Sequence, residues 1–176
     1  MAIVYRFTSS DSHGPIVLTL EFLDGAVDEN AAVGVGRYGN SAVSLLLETN
    51  TFTMRHTGPF DFASVNVLFP AQESFIVAHS TGLVVDPVGV ANPTAGLILA
   101  GPGLMGGSEA LPALLPPTLG AGFMGSIIYE QADGDLFYGT IRTIEINPQA
   151  VPEPATAALW LGAMAALGCG VWRRRR

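Results

Sequence analysis

Few side chains in this chain have types and spacing suited to chemistry. The three histidines, His13, His56 and His79, have ordinary pKa values close to neutrality and could serve as bases or metal ligands. His13 and His56 lie in turn contexts, "SSDSHGP" and "HTGPFD", where surface exposure is the plain reading. His79 lies in an apolar stretch that reads as a strand, and a fold could bring it to His56. Two imidazoles without a defined carboxylate partner do not make a zinc centre. Asp133 and Asp135 offer hard oxygens of the kind calcium takes. A hairpin with φ > 0 at Gly134 accounts for the same residues without an ion. Asp24, Asp28 and Glu29 form a second acidic turn, read as solvated. Ser108 in "GGSEA" does not stand in a G-x-S-x-G elbow, and the chain has no H-E-x-x-H. Tyr38, Phe60 and Tyr138 could stack on sugar rings if exposed, or fill a core if not. The expectation is a protein that is not an enzyme, with no catalytic residue, metal or cofactor.

The most informative residues are at the end, "VPEPATAALWLGAMAALGCGVWRRRR". Residues 155–172 carry no charge and are rich in Ala, Leu and Gly. As a helix this run measures about 27 Å, close to the hydrocarbon thickness of a bilayer. Pro154 suits a first helical turn, where its missing N–H costs nothing. Trp160 and Trp172 are the kind of residue that gathers at membrane interfaces. Arg173, Arg174, Arg175 and Arg176 follow at once. The positive-inside rule keeps such a cluster in the cytoplasm and so places the body outside. A buried helix of a soluble domain rarely lacks polar residues on every face over such a length. Cys169 reads as a small apolar residue within the run, with lipidation the alternative. Gly162, Ala166 and Gly170 form a small-xxx-small row of the type that lets helices approach.

Pro152, Glu153 and Pro154, then one spanning-length apolar run, then a terminal arginine cluster: in that order these features resemble the PEP-CTERM sorting signal of Gram-negative bacteria. The likeness covers residues 151–176. It implies export, a single-pass stay in the inner membrane, and recognition at Pro152-Glu153-Pro154 by an exosortase, a membrane-embedded transpeptidase. It further implies release or transfer of the body to the cell surface of an exopolysaccharide-producing, biofilm-forming host. Members of that group begin with a signal peptide. "MAIVYRFTSS" has neither a basic n-region nor an apolar h-region, so the expectation is a leader encoded upstream of Met1. A tail anchor is the alternative, against which stands the need to carry four arginines across the membrane.

Charge sets the body apart from this tail. Residues 1–150 hold four arginines, no lysine and fourteen acids, a formal charge of −10. So acidic a body has no electrostatic footprint for nucleic acid. A single cysteine excludes an intrachain disulfide and a Cys-based zinc site, so the core alone must hold the fold.

The elements of the body read as β. Ile3, Tyr5 and Phe7 alternate with polar or smaller neighbours, as do Ile16, Leu18, Leu20 and Phe22, then Phe52 and Met54, then Val65, Val67 and Phe69. Residues 41–47, 74–85, 125–131 and 136–147 are further strand candidates. Turn signals separate them, and "ADGD" marks the clearest hairpin. The pattern predicts an all-β body over 1–150, an antiparallel sandwich or jelly roll, followed by one transmembrane helix over 155–172. Residues 92–125 hold eight Gly, five Pro and one charge, Glu109. They read as a long apolar loop, with a short strand at 97–99 and a turn of helix at 110–115. Exposed aromatics on such a body would suit a carbohydrate-binding module for the exopolysaccharide, the alternative to a purely structural surface or matrix protein.

Overall fold

The computed structural model describes residues 2–11, 14–30, 32–68, 72–87, 93–112, 115–130 and 136–147. Among the described residues eleven strands are formed: β1 (Ala2–Asp11), β2 (Gly14–Leu23), β3 (Val35–Arg37), β4 (Ala42–Glu48), β5 (Thr53–Thr57), β6 (Phe62–Asn66), β7 (Glu73–His79), β8 (Val84–Asp86), β9 (Thr94–Gly101), β10 (Met124–Glu130) and β11 (Leu136–Ile146). One 3-10 turn, Gly39–Ser41, precedes β4. Every pairing is antiparallel, and all strands belong to one sheet in the order β3-β6-β7-β9-β10-β11-β1-β2-β4-β5-β8.

Alternation makes one face of this sheet apolar. On β2, Ile16, Leu18, Leu20 and Phe22 are buried while Thr19 and Glu21 turn outward. Tyr5 and Phe7, Leu45 and Leu47, Phe75 and Val77, and Leu97 and Leu99 supply matching rows on β1, β4, β7 and β9. A sheet with so apolar a face must cover it, and this one curls until its flanks meet. Tyr5 and Phe75 sit on strands four places apart, yet their rings lie 5.6 Å apart. Phe22 lies 6.3 Å from Phe75 and edge-on to Phe60 at 5.5 Å. Phe52 meets Tyr129 at 5.6 Å. The connections agree. β3 to β4, β5 to β6 and β7 to β8 each pass from one flank to the other in four residues. Four residues reach at most about 14 Å, so the flanks must lie at the spacing of packed sheets.

The all-β reading thus stands, with one difference in kind. The sandwich or jelly roll expected from the sequence is realised as a single curled sheet whose two flanks face each other. Three local expectations are corrected. Residues 74–85 do not form one strand: the chain turns at 80–83, and β8 pairs with β5. The short strand expected at 97–99 is present but longer, β9, and it is a central strand between β7 and β10. Among the described residues of 110–115 no helical turn is found. Gly96 explains the close seat of β9, since a Cβ there would meet the Val77 carbonyl oxygen at 2.5 Å. The hairpin signalled by "ADGD" is borne out by the pairing Glu130↔Leu136; the turn itself, with Asp133, Gly134 and Asp135, lies outside the described residues. A bulge at Thr8/Ser9 resets the phase of β11, so Ile141 and Ile144, three residues apart, both reach the core.

Candidate functional site

Pro152, Glu153, Pro154, the apolar run 155–172 and Arg173, Arg174, Arg175 and Arg176 lie outside the described residues. Among the described residues no helix is long and apolar enough to cross a membrane. What the structure defines is the place from which that segment departs. β11 outruns β10, so its last residues pair with β1, where Tyr5 faces Ile146. The strand ends on Asn147, whose φ of 48° lies in the left-handed region that asparagine tolerates better than most residues. The Asn147 N–H donates to the Val4 carbonyl at 2.6 Å, and its Oδ1 accepts the Val4 N–H at 3.0 Å. Two hydrogen bonds therefore pin the point of exit. The Asn-Pro dipeptide at 147–148 is a turn signal that could have pointed to it.

A long apolar loop, described over residues 102–112 and 115–123, closes over the same end. The Ile144 N–H donates to the Pro117 carbonyl at 2.9 Å, and the Tyr5 hydroxyl to the Pro112 carbonyl at 2.9 Å. Burial raises the Tyr5 pKa, with Tyr38 adding to the effect, so the phenol stays a donor. Two carboxylates hold the loop from the body. Glu73, 2% exposed, accepts the Met105 and Gly107 N–H groups at 2.5 and 3.0 Å. Glu109 reaches back to the Gly34 N–H at 2.6 Å, and its carbonyl accepts the Tyr38 hydroxyl at 2.8 Å. A cavity of about 680 Å³ opens in the loop, lined by Leu104, Met105, Leu111, Leu115, Pro116 and Phe123 among others. Sequence reasoning singled out neither carboxylate as structural. The signal was available: a lone charge in an apolar segment needs a partner to be buried.

His56 and His79 do meet, with ring centroids 3.8 Å apart. They stand at the corner where β5 turns to β6 and β7 turns to β8. Gly58 and Gly82, at φ of 123° and 71°, carry those turns beside the His56 ring. His56 Nε2 lies 3.0 Å from the Pro59 carbonyl, which can only accept, so that nitrogen carries hydrogen. His79 Nδ1 accepts the Asp61 N–H at 3.1 Å, so its hydrogen sits on Nε2, which is buried and has no hydrogen-bond partner. Asp61 binds the adjoining turn: its Oδ2 accepts from N–H and hydroxyl of both Ser80 and Thr81. Burial acts to raise the Asp61 pKa, but these hydrogen bonds outweigh it and bring the carboxyl to about 2. The His79 pKa is lowered by burial first and by His56 second, with Asp61 and the Thr81 backbone opposing. With His79 Nδ1 accepting from the backbone and Asp61 Oδ2 accepting from the 80–81 turn, the pair holds this corner together.

The remaining candidates fall apart in space. Tyr38 and Phe60 are core residues, while Tyr138 is exposed on β11. The acidic turn is not merely solvated. Asp28 accepts the Asn30 and Arg37 N–H groups, and Glu29 accepts from the Asn40 N–H and side-chain amide. Ser108 accepts the Ala110 N–H in the loop. His13 lies outside the described residues, as does Cys169. Among the described residues no group of three His, Cys, Asp or Glu side chains is placed to hold a metal ion.

The chain is thus an all-β body whose last strand leads directly into a C-terminal sorting segment. That segment is of a defined kind: residues 150–176 match the family model of the PEP-CTERM protein-sorting motif, and the chain carries that motif. The match begins three residues beyond Asn147 and includes Pro152, Glu153, Pro154 and the four terminal arginines. It supports exosortase-dependent sorting of a secreted or surface protein. No curated protein and no solved structure gave a match to the chain.

Proposed function

We propose that the protein is an exported surface or extracellular-matrix protein, held in the inner membrane by residues 155–172 and sorted by an exosortase acting at Pro152-Glu153-Pro154. The β body lies outside the cytoplasm, and Arg173, Arg174, Arg175 and Arg176 stay within it. The host implied is a Gram-negative, exopolysaccharide-producing bacterium. The observation that carries this reading is the sorting motif at 150–176, set directly after the pinned end of β11. Pro152 and Pro154 have no backbone N–H to donate and bias the residues before them away from helix, which by sequence suits a connector between sheet and anchor. Glu153 between them is a charged handle at the outer interface. A non-catalytic role for the body is supported by the state of its two facing histidines, one donating to Pro59 and the other accepting from Asp61.

The test is processing in a host with the matching exosortase. The mature body is expected to lose residues 155–172, and Glu153→Ala to leave uncleaved protein in the inner membrane. Glu48→Ala, at an exposed position on β4, should be processed normally. Mass spectrometry of the released protein decides; recovery of intact Arg176 on it would falsify the sorting reading.

A second reading, a carbohydrate-binding module for the matrix polysaccharide, has one observation in its favour. A shallow pocket of about 190 Å³ combines Glu29, Arg37, Asn40 and Asp61 with the partly exposed ring of Phe62. Polar side chains beside an aromatic face are what sugar rings use. Pull-down of the body by the host polysaccharide, lost in Phe62→Ala, would support it.

A further inference from the structure

We propose that the apolar loop, in its described residues 102–112 and 115–123, rests on the bilayer that holds the C-terminal anchor, its apolar cavity turned to the lipid. This builds on the anchor reading above and adds a second point of contact between the body and the membrane.

Position is the first argument. The hydrogen bonds from Ile144 to Pro117 and from Tyr5 to Pro112 set the loop beside the end of β11, within a few residues of Asn147. Only residues 148–154 separate Asn147 from the apolar run. Fully extended they reach about 25 Å, and Asn147 cannot swing freely because Val4 holds it on both sides. The end of the body that bears the loop is therefore the end nearest the membrane.

Chemistry is the second. The one charge among residues 92–125 is Glu109, and it is turned inward onto Gly34. What the loop presents is a cavity of about 680 Å³ walled by Leu, Met, Pro and Phe side chains. Met124, at the foot of β10, is 60% exposed. Val33 and Leu68, 86% and 53% exposed, stand beside the Gly34 that Glu109 ties to the loop. Exposed apolar side chains occur elsewhere on the body too, Leu136 and Tyr138 among them, but here three flank an apolar loop on the side of the tether, and such a surface calls for an apolar partner.

Charge decides which membrane feature is met. With four arginines against fourteen acids, the body has no basic patch for anionic headgroups. Contact comes from burying apolar surface, weak alone but made effective by the short tether, which keeps the local concentration of lipid high. Phosphatidylcholine should serve as well as an anionic lipid, and salt should matter little.

The full-length chain, carrying ¹³C-methyl methionine, is placed in phosphatidylcholine nanodiscs containing a gadolinium-headgroup lipid. Quenching of Trp160 and Trp172 by brominated lipid reports independently on the tail. The expected result is quenched tryptophans, with methyl signals of Met105 and Met124 weakened several-fold relative to Met54. Met54 is the internal standard because it is fully buried on β5, four places from β11 in the sheet. Met124→Asp, at an exposed position, should restore most of the Met105 signal while Met54 stays unchanged. Quenched tryptophans with Met105 and Met124 as strong as Met54 would overturn the proposal and leave the anchor intact. The same holds if Met105 alone is shielded from gadolinium, since the cavity is then filled by the chain's own tail. Unquenched tryptophans would overturn the anchor reading and this inference with it.

Discussion

His79 is a base that the fold keeps away from its proton. In the unfolded chain it takes up a proton near its ordinary value of 6.5; in the folded chain burial and His56 push that value down. The unfolded state therefore binds more protons on acidification, and stability falls with pH below about 6.5. Asp61 contributes in the same direction at lower pH. Its carboxyl, at about 2 against an ordinary 3.8, adds stability above 3.8 that is lost as pH falls toward 2. Thermal melts of the full chain should show a midpoint that drops between about pH 7 and pH 5. In His79→Leu that drop should be smaller, because the group that titrates is gone. An unchanged pH dependence in the variant would mean that His79 is not the group responsible. In each of the paired histidines one ring nitrogen is engaged by a turn, His56 Nε2 with Pro59 and His79 Nδ1 with Asp61, while the buried His79 Nε2–H has no partner.

At the scale of the element, β7 shows how one strand serves two ends of the molecule. Its inward row runs Glu73, Phe75, Val77, His79, with apolar residues in the middle and a buried polar side chain at either end. Phe75 and Val77 supply the core. His79 holds the corner of β5–β6 and β7–β8, and Glu73 holds the apolar loop. A carboxylate accepting one buried and one part-buried N–H is worth about 2 kcal/mol when its removal leaves the buried one unpaired. Glu73→Ala should lower stability by about that amount, and Glu73→Gln, which keeps one acceptor oxygen, by less. Amide hydrogen exchange is the discriminating measurement. The N–H groups of Met105 and Gly107 should exchange far faster in Glu73→Ala, while those of β1 and β2 should follow only the global change. Protection of Met105 and Gly107 equal to that in the unaltered protein would show that the loop is held by other contacts.

For the whole molecule, stability rests on the meeting of the two flanks, because one cysteine leaves no disulfide to help. Phe22 and Phe75 are fully buried and touch across the fold. Phe22→Ala and Phe75→Ala should each cost about 3–5 kcal/mol, and the double variant less than their sum, since the rings share one contact and one cavity. Denaturant unfolding of the four proteins measures it; strict additivity would mean that the flanks do not pack through this pair. The sequence by itself determined the strongly alternating strands, because period-2 alternation is a local property: Ile16, Leu18, Leu20 and Phe22 announce β2 without reference to anything else, whereas short β3 and the break between β7 and β8 carry no such signal. It also determined the sorting signal, because Pro152-Glu153-Pro154, an uncharged run and four arginines act through their order along the chain, which no folding alters. Only the tertiary structure decided what depends on contacts between distant residues. β9 emerged from a Gly- and Pro-rich stretch because β7 and β10 supply its hydrogen bonds and Gly96 lets it approach. The curl that joins Tyr5 to Phe75 follows from an apolar face that must find cover, and alternation cannot say which strand will provide it. Glu73, Glu109 and Asn147 have their roles from partners 32, 75 and 143 residues away, separations at which a lone charge or a lone asparagine gives no sign of what it will hold.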